Sequence, residues 1–301
     1  MNEARSPAPA IDRATAARLL EPLTDLVVRA GAAILAVDRQ AMKIDGKTDG
    51  SPVTEADMAA DRIIADGLAR LVPEIPTLSE ERLHLARTPY RGSFFLIDPL
   101  DGTKEFVAGR NEFTVNVALV NDGTPLLGLI GAPALGLIWR GLVGQGTDKG
   151  TDKDTDGYAE RLVTGQDGSG SGQPIRTRPF PPPGKPWIAA VSRSHGDAAT
   201  EAFIDARPGA IRERLGSAVK LAKVAEGTAD IYPRLAPTSE WDIAAGHAIV
   251  TAAGGKVTDA AGGDLRFGRG FQQGSQNGAT DFIVPAFIAW GDPTGARAGR
   301  A

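Results

Sequence analysis

The 301-residue chain has no cysteine, only three histidines and few aromatic residues (6%). Without cysteine, disulfide scaffolds, thiolate zinc sites and cysteine nucleophiles are excluded. The histidines, His84, His195 and His247, are scattered, which argues against a histidine-rich zinc site. Basic clusters are also missing and the net charge is −4, so the composition does not indicate a surface for nucleic acid.

Long hydrophobic runs are missing as well. The longest charge-free apolar stretch, at 124–139, is too short and too rich in glycine and proline to span a membrane. The first residues lack the basic start and apolar core of a secretory signal. We therefore expect a cytoplasmic protein with no integral membrane segment. Its length suits one large domain or two medium ones.

The apolar pattern predicts both helices and strands. Helical spacing runs from Thr15 to about Val37 and from Glu55 to Leu71. The segments at 93–97 and 113–120 are typical of strands, and the second alternates apolar and other residues. Further strands of a meander should follow in 124–141.

A change of composition suggests where the chain divides. Residues 144–184 are rich in glycine, aspartate, threonine and proline, which predicts a flexible insertion and linker. We expect an N-terminal α+β half at 12–184 and a C-terminal α/β half at 185–290, sharing one site at their junction. Residues 1–11 and 291–301 are predicted to be disordered tails.

Four short acidic motifs stand out. They are "SPVTEAD" (51–57), "LSEE" (78–81), "DPLDGT" (98–103) and "EWDIAAGHA" (240–248). Each has an ordinary structural explanation. The first and last match capping boxes with Thr54 and Ser239 as N-caps, and "DPLDGT" is typical of a tight turn.

Taken together, the motifs favour a metal-bound phosphate ester. A strand that ends in "DPLDG" should bring Asp98 and Asp101 towards one point, with the Leu100 carbonyl between them. Hard cations such as Mg²⁺ prefer these oxygen ligands. Gly102 and Thr103 then begin a helix, and their N–H groups would face a phosphate.

The four motifs, in this order and spacing, resemble the inositol monophosphatase superfamily, the Mg²⁺-dependent and Li⁺-sensitive phosphatases. The resemblance covers roughly residues 15–290. It implies a five-layer α-β-α-β-α sandwich of the inositol monophosphatase and fructose-1,6-bisphosphatase type. The stretch around 144–173 departs from the family, since it is longer than the usual connection.

Other segments resemble one branch, the 3′(2′),5′-bisphosphate nucleotidases of the CysQ type. They are "DGTKEF", "NEFTVNVALV", "VSRSH" and "GSAVKLAKVAEGTADIYPR". The resemblance implies removal of the 3′-phosphate from 3′-phosphoadenosine 5′-phosphate or its sulfated form, and a role in sulfur metabolism. The alternatives are an inositol-1-phosphate or sugar-phosphate phosphatase with the same metals, and a relative that only binds nucleotide.

The resemblance also implies residue roles. Two or three Mg²⁺ ions would be held by Glu80, Asp98, the Leu100 carbonyl, Asp101 and Asp242. The water would be activated by Glu80 with the Asp57–Thr103 pair, and the substrate would be contacted by Ser192, His195, Gly216 and Lys220. Lys47 and Arg234 would add positive potential, the role of Glu81 is open, and His247 is interpreted as a packed helix residue. Such relatives are monomers or homodimers.

Overall fold

The computed structural model describes residues 8–39, 41–42, 44–46, 52–85, 90–144, 157–164, 170–194, 196–207, 209–268 and 282–298. The helices are α1 (Arg13–Leu35), α2 (Glu55–Leu71), α3 (Thr103–Val107), α4 (Ala198–Asp205), α5 (Val219–Ala225), α6 (Glu240–Ala252) and α7 (Gly295–Ala298), with 3₁₀ turns at Glu80–Leu85 and Pro133–Leu135. The strands are β1 (Ile44–Gly46), β2 (Pro52–Thr54), β3 (Thr77–Ser79), β4 (Ser93–Asp101), β5 (Thr114–Asn121), β6 (Thr124–Ala132), β7 (Leu137–Leu142), β8 (Tyr158–Thr164), β9 (Gly170–Pro174), β10 (Ile188–Ser192), β11 (Ile211–Leu215), β12 (Ile231–Arg234), β13 (Thr238–Ser239), β14 (Lys256–Thr258), β15 (Ile283–Val284) and β16 (Phe287–Trp290).

The larger sheet contains seven strands in the order β3-β4-β5-β6-β7-β8-β9. Only β3 runs parallel to its neighbour, and the remaining pairs are antiparallel. Successive residues of β4 alternate between the two faces, as a strand requires. Phe95 and Ile97 pack with α1 and α2 on one face, and Phe94 and Leu96 pack with α5 and α6 on the other.

The smaller sheet has the order β11-β10-β12-β16-β14. Its inner face, which includes Ala190 and Tyr232, shares a core with α5 and α6. Its outer face contributes Val191 and Ile231 to a separate core with α4 and α7. The layers are therefore helix, sheet, helix, sheet, helix, which confirms the predicted five-layer α-β-α-β-α fold class.

No helix in the described ranges is long and apolar enough to cross a membrane. The longest of them, α1, has 23 residues and buries one side against the larger sheet.

Helix α6 lies unusually close to the larger sheet because two strand positions have no side chain. A Cβ built on Gly128 would stand 2.1 Å from the Ala245 carbonyl oxygen, and one on Gly141 would stand 2.9 Å from the Ile249 Cα. These distances are below any real contact, so only glycine allows the helix to sit at this depth. The approach matters because α6 carries Asp242.

Parts of three segments that were predicted to be flexible or disordered are folded in the structure. Within the predicted insertion and linker, β8 and β9 extend the larger sheet, and Ala159 and Leu162 are buried. The end of the predicted N-terminal tail is also packed, since Ile11 is buried and its N–H donates to Ser93 Oγ at 2.8 Å. In the predicted C-terminal tail, Ala296 on α7 is buried. In each case, a few apolar residues of a mostly polar segment pack against a hydrophobic core.

Replacing Gly128 with alanine should therefore destabilise the fold. The added methyl group would meet backbone atoms of α6, and overpacking of this kind costs about 1–3 kcal/mol. Gly196→Ala is the control, because a Cβ there meets nothing within 4 Å. Urea unfolding of both variants measures the difference. If Gly128→Ala were as stable as Gly196→Ala, the close packing of α6 would be wrong.

Candidate active site

The end of β4 brings two carboxylates to the same place through an irregular register. Asp98 pairs with Asn116 of β5 and Asp101 pairs with Thr114, so three steps on β4 match two on β5. In a regular strand, residues three apart face opposite sides of the sheet. A bulge shifts this alternation by one, and both side chains line one cavity. The turn expected across "DPLDGT" is therefore confined to Gly102, with a φ of 89°, because the strand continues to Asp101.

Glu80 reaches the same edge from the neighbouring strand. Strands β3 and β4 are parallel, and Ser79 pairs with Ile97. Glu80 and Asp98 are the next residues of the two chains, so they are neighbours at this end of the sheet. Helix α2 supports this strand end, because buried Asp61 accepts hydrogen bonds from Ser79 Oγ and Arg82 Nε, both at 2.6 Å.

Asp57 forms both a helix cap and a link to the cavity. One carboxylate oxygen accepts from the Thr54 N–H at 2.8 Å, which confirms the capping box predicted at this helix start. The other oxygen, Oδ1, lies 3.1 Å from the Thr103 hydroxyl oxygen. The same hydroxyl also lies 3.1 Å from the Leu100 carbonyl oxygen. The predicted Asp57–Thr103 contact is thus present in the structure.

Asp242 enters the cavity from the start of α6. Ser239 is the N-cap, and the predicted capping box between it and Asp242 is present. The Asp242 Oδ2 atom accepts from the Thr238 hydroxyl and, at 3.2 Å, from the Ser239 N–H. Burial, together with the nearby charge of Asp101, raises the pKa of Asp242 to about 6.

These residues surround one cavity of about 220 Å³ between the two sheets. Ten of the predicted site residues line it: Glu80, Asp98, Leu100, Asp101, Gly102, Thr103, Ser192, Gly216, Lys220 and Asp242. Asp57 adjoins the cavity through Thr103. Helix α3, which Gly102 and Thr103 begin, has only five residues. The role of its N-terminus in phosphate binding stays a prediction.

The remaining predicted residues are His195, Lys47 and His247. His195 and Lys47 fall outside the described residues. His247 is buried against the edge of the Phe267 ring, with centroids 5.6 Å apart, so its interpretation as a packed helix residue is confirmed. Burial lowers the pKa of His247 to about 4.

The acidic side of the cavity fits a cation. The Oδ2 atoms of Asp101 and Asp242 accept hydrogen bonds, but their Oδ1 atoms bond to no described residue. Burial raises the pKa of Asp101, and the charge of Glu80 adds to the rise. Half-buried carboxylates whose oxygens are not all bonded within the protein are suitable ligands for Mg²⁺. Among the described residues, no three acidic or histidine side chains are grouped tightly enough to hold an ion by themselves.

The opposite wall of the cavity is basic and polar. Lys220 is buried, donates to the Ser217 carbonyl and lies over the Tyr232 ring, and burial lowers its pKa to about 8. Two further buried atoms in this wall, Ser217 Oγ and Arg234 Nε, have no hydrogen-bond partner in the part of the chain that the structure describes. A ligand with several acceptor atoms would satisfy them.

Several residues of the site were not predicted from the sequence motifs. Asp61 lies one helical turn after Asp57, and that spacing could have indicated a second buried carboxylate on α2. Glu105 accepts from the Ser194 hydroxyl, and Glu112 accepts from the Gly216 N–H at 2.9 Å. Neither of these contacts has a local sequence signal, since the partners are far apart in the chain.

Comparison with known proteins places this geometry in a family. The family model described as "Inositol monophosphatase family" matches residues 16–286 of this chain. The chain is 37% identical over 258 residues to the 3′(2′),5′-bisphosphate nucleotidase CysQ of Escherichia coli, covering 83% of this chain and 94% of that protein. Among solved structures, CysQ from Bacteroides thetaiotaomicron matches with a TM-score of 0.67 and 31% identity, over 90% of this chain and 96% of that one. An inositol monophosphatase from Anabaena matches with a TM-score of 0.68 over 95% of each chain, and at 22% identity it supports the fold alone.

Proposed function

This chain belongs to the inositol monophosphatase family, and we propose that it is a Mg²⁺-dependent 3′(2′),5′-bisphosphate nucleotidase. The reaction would remove the 3′-phosphate of 3′-phosphoadenosine 5′-phosphate and release AMP and inorganic phosphate. Water supplies the oxygen of the released phosphate, and the 3′-oxygen leaves with a proton.

One observation carries the proposal: acidic and basic walls face each other across a single cavity. The acidic wall, with Asp98, Asp101 and Asp242, suits a metal-bound phosphate. The basic wall, with Lys220 and Arg234, suits a second negative group on the same substrate. Relatives at 34–38% identity are named as nucleotidases for a bisphosphate, a substrate with two such groups.

The proposed metal ligands are Glu80, Asp98, the Leu100 carbonyl, Asp101 and Asp242, holding two or three ions. Bound Mg²⁺ would supply Lewis-acid stabilisation of the charge that develops on the phosphate and the leaving oxygen. Asp98 is buried and its Oδ1 accepts from the Leu100 N–H at 3.1 Å, which fixes the carboxylate relative to the backbone.

Thr103 and Asp57 would orient and activate the water together with Glu80. If the Thr103 hydroxyl donates its proton to Asp57 Oδ1, its oxygen is free to accept a hydrogen bond from a water molecule. Asp57 is held in place by the bonds from Thr54, so it can fix the direction of that hydroxyl.

The substrate contacts proposed for the C-terminal half are Ser192, His195, Gly216 and Lys220. Gly102 and Thr103 would bind the phosphate that is removed. The proposal also includes action on the sulfated nucleotide, inhibition by Li⁺, a cytoplasmic location and a role in sulfur metabolism.

Thr103→Ala should lower kcat about 100-fold and leave Mg²⁺ affinity nearly unchanged, because general-base positioning contributes about 10²–10⁴ to rate. Thr103→Ser keeps the hydroxyl and is the matched control, expected to retain most of the activity. Steady-state kinetics and calorimetric titration of Mg²⁺ measure the two effects. Full kcat in Thr103→Ala would remove the water-activating role.

The substrate assignment is tested by phosphate release from 3′-phosphoadenosine 5′-phosphate and from inositol-1-phosphate under identical conditions. We expect fast release from the nucleotide with Mg²⁺, none with EDTA, and inhibition by Li⁺. The Asp98→Asn variant, with its fold checked by circular dichroism, controls for contaminating phosphatases and should be inactive.

The other outcomes separate the alternatives. Release mainly from the inositol ester would keep the metal site and reject the nucleotide as substrate. Release from neither, with nucleotide binding retained, would favour a protein that only binds nucleotide.

A further inference from the structure

Two segments of the C-terminal half leave the smaller sheet side by side at the cavity. Strands β10 and β11 are parallel, and Ser192 at the end of one pairs with Leu215 at the end of the other. Parallel strands end at the same edge of a sheet, so the chain that follows each one enters the same space. Ser192 and Gly216 both line the cavity.

A single carboxylate of the N-terminal half holds both segments. Glu112, just before β5, accepts hydrogen bonds from the Arg193 guanidinium, Nε to Oε2 at 3.1 Å and Nη2 to Oε1 at 2.8 Å and to Oε2 at 2.9 Å. Its Oε2 atom also accepts from the Gly216 N–H at 2.9 Å. Bidentate pairs of this kind fix direction as well as distance. The Arg193 side chain also donates to the Arg214 carbonyl at 2.8 Å, which ties the two segments to each other.

The backbones meet equally closely at this point. A Cβ on Gly216 would lie 2.6 Å from the Glu112 carbonyl oxygen, so only glycine fits. Gly102 has a φ of 89°, and its Cβ would lie 3.3 Å from both the Glu112 carbonyl oxygen and Ser217 Cβ. The start of α3 therefore packs against Glu112 and against Ser217, which belongs to the opposite wall of the cavity.

A second carboxylate, that of Glu105, holds the next residue of the same segment, Ser194. Glu105 on α3 is buried, lines the cavity and accepts a hydrogen bond from the Ser194 hydroxyl. The segment 192–194 is thus held at two consecutive residues, Arg193 by Glu112 and Ser194 by Glu105.

We propose that Glu112 is a specificity-determining positioning residue. Its carboxylate, acting through Arg193 and the Gly216 N–H, fixes the substrate-recognition wall at 192–194 and 215–217 relative to the acidic wall. The distance between the walls then selects a substrate that carries two separated anionic groups. The inference rests on the proposed function for the identity of the substrate, but the contacts that carry it do not.

The geometry also indicates which kinetic constant should change. Glu112 does not line the cavity and contacts none of the proposed metal ligands, so its loss should leave the reacting groups in place. Its partners lie on the wall proposed to hold the remote part of the substrate. Loss of remote contacts that are equal in the ground and transition states raises KM and leaves kcat unchanged.

The test compares Glu112→Ala with Glu112→Gln. Alanine removes every hydrogen bond to the carboxylate, whereas glutamine keeps an acceptor for the Gly216 N–H and loses the charge. We expect about a tenfold rise in KM for 3′-phosphoadenosine 5′-phosphate in Glu112→Ala, equal to about 1.4 kcal/mol, with kcat within about twofold. Glu112→Gln should be intermediate. Glu201→Ala is the matched control, since it removes a half-exposed ion pair with Arg212 that is outside the cavity.

Amide hydrogen exchange supplies a readout that does not depend on activity. The amides of residues 193–194 and 216–217 should exchange faster in Glu112→Ala than in the wild type, and those of β5 and β6 should be unchanged.

Unchanged kinetics with unchanged exchange would overturn the inference, as would an equal loss of kcat and kcat/KM. If the wild-type protein does not hydrolyse the nucleotide, the proposed function fails. Exchange then decides alone whether Glu112 holds the two segments, and unchanged exchange in Glu112→Ala would reject that role.

Discussion

Mutual repulsion between the carboxylates that line one cavity is the constraint on which the rest of the structure depends. Asp98, Asp101 and Asp242 are brought to one cavity from a strand end and a helix start, and like charges repel more strongly there than in bulk water. The fold opposes that repulsion with fixed donors on each carboxylate, such as the Ser239 N–H on Asp242. The glycines of β6 and β7 hold α6 close to the larger sheet, and the bulge in β4 sets the direction of the two strand carboxylates. A cation would complete this arrangement.

Local sequence patterns predicted much of this fold. Helical periodicity gave Glu55–Leu71 for α2, which agrees with the observed bounds. Both capping boxes are present, and at Thr54 the structural and functional interpretations of one motif are compatible, because Asp57 uses one oxygen for the cap and the other for Thr103. A cap places its carboxylate at a fixed position on the helix, which is also what an active site requires.

Other features depended on contacts that no local pattern records. Strand β9 has the sequence "GSGQP", which resembles a linker, and it becomes a strand because β8 offers an open edge. The bulge in β4 depends on the register with β5, so "DPLDGT" alone suggested a turn. The Glu112–Arg193 pair joins residues 81 apart in the chain, and only the packing of the two sheets brings them together.

The most direct test of the central claim is the thermal stability of Asp242→Asn with and without Mg²⁺ at neutral pH. Asparagine keeps an acceptor for Thr238 and Ser239 but removes one of the crowded charges. In EDTA we therefore expect the variant to unfold a few degrees above the wild type. With saturating Mg²⁺ the order should reverse, because bound ligand stabilises the wild type more than a variant that binds the ion weakly. If the wild type were the more stable protein by the same margin in both conditions, the carboxylates would not be a metal site held against repulsion.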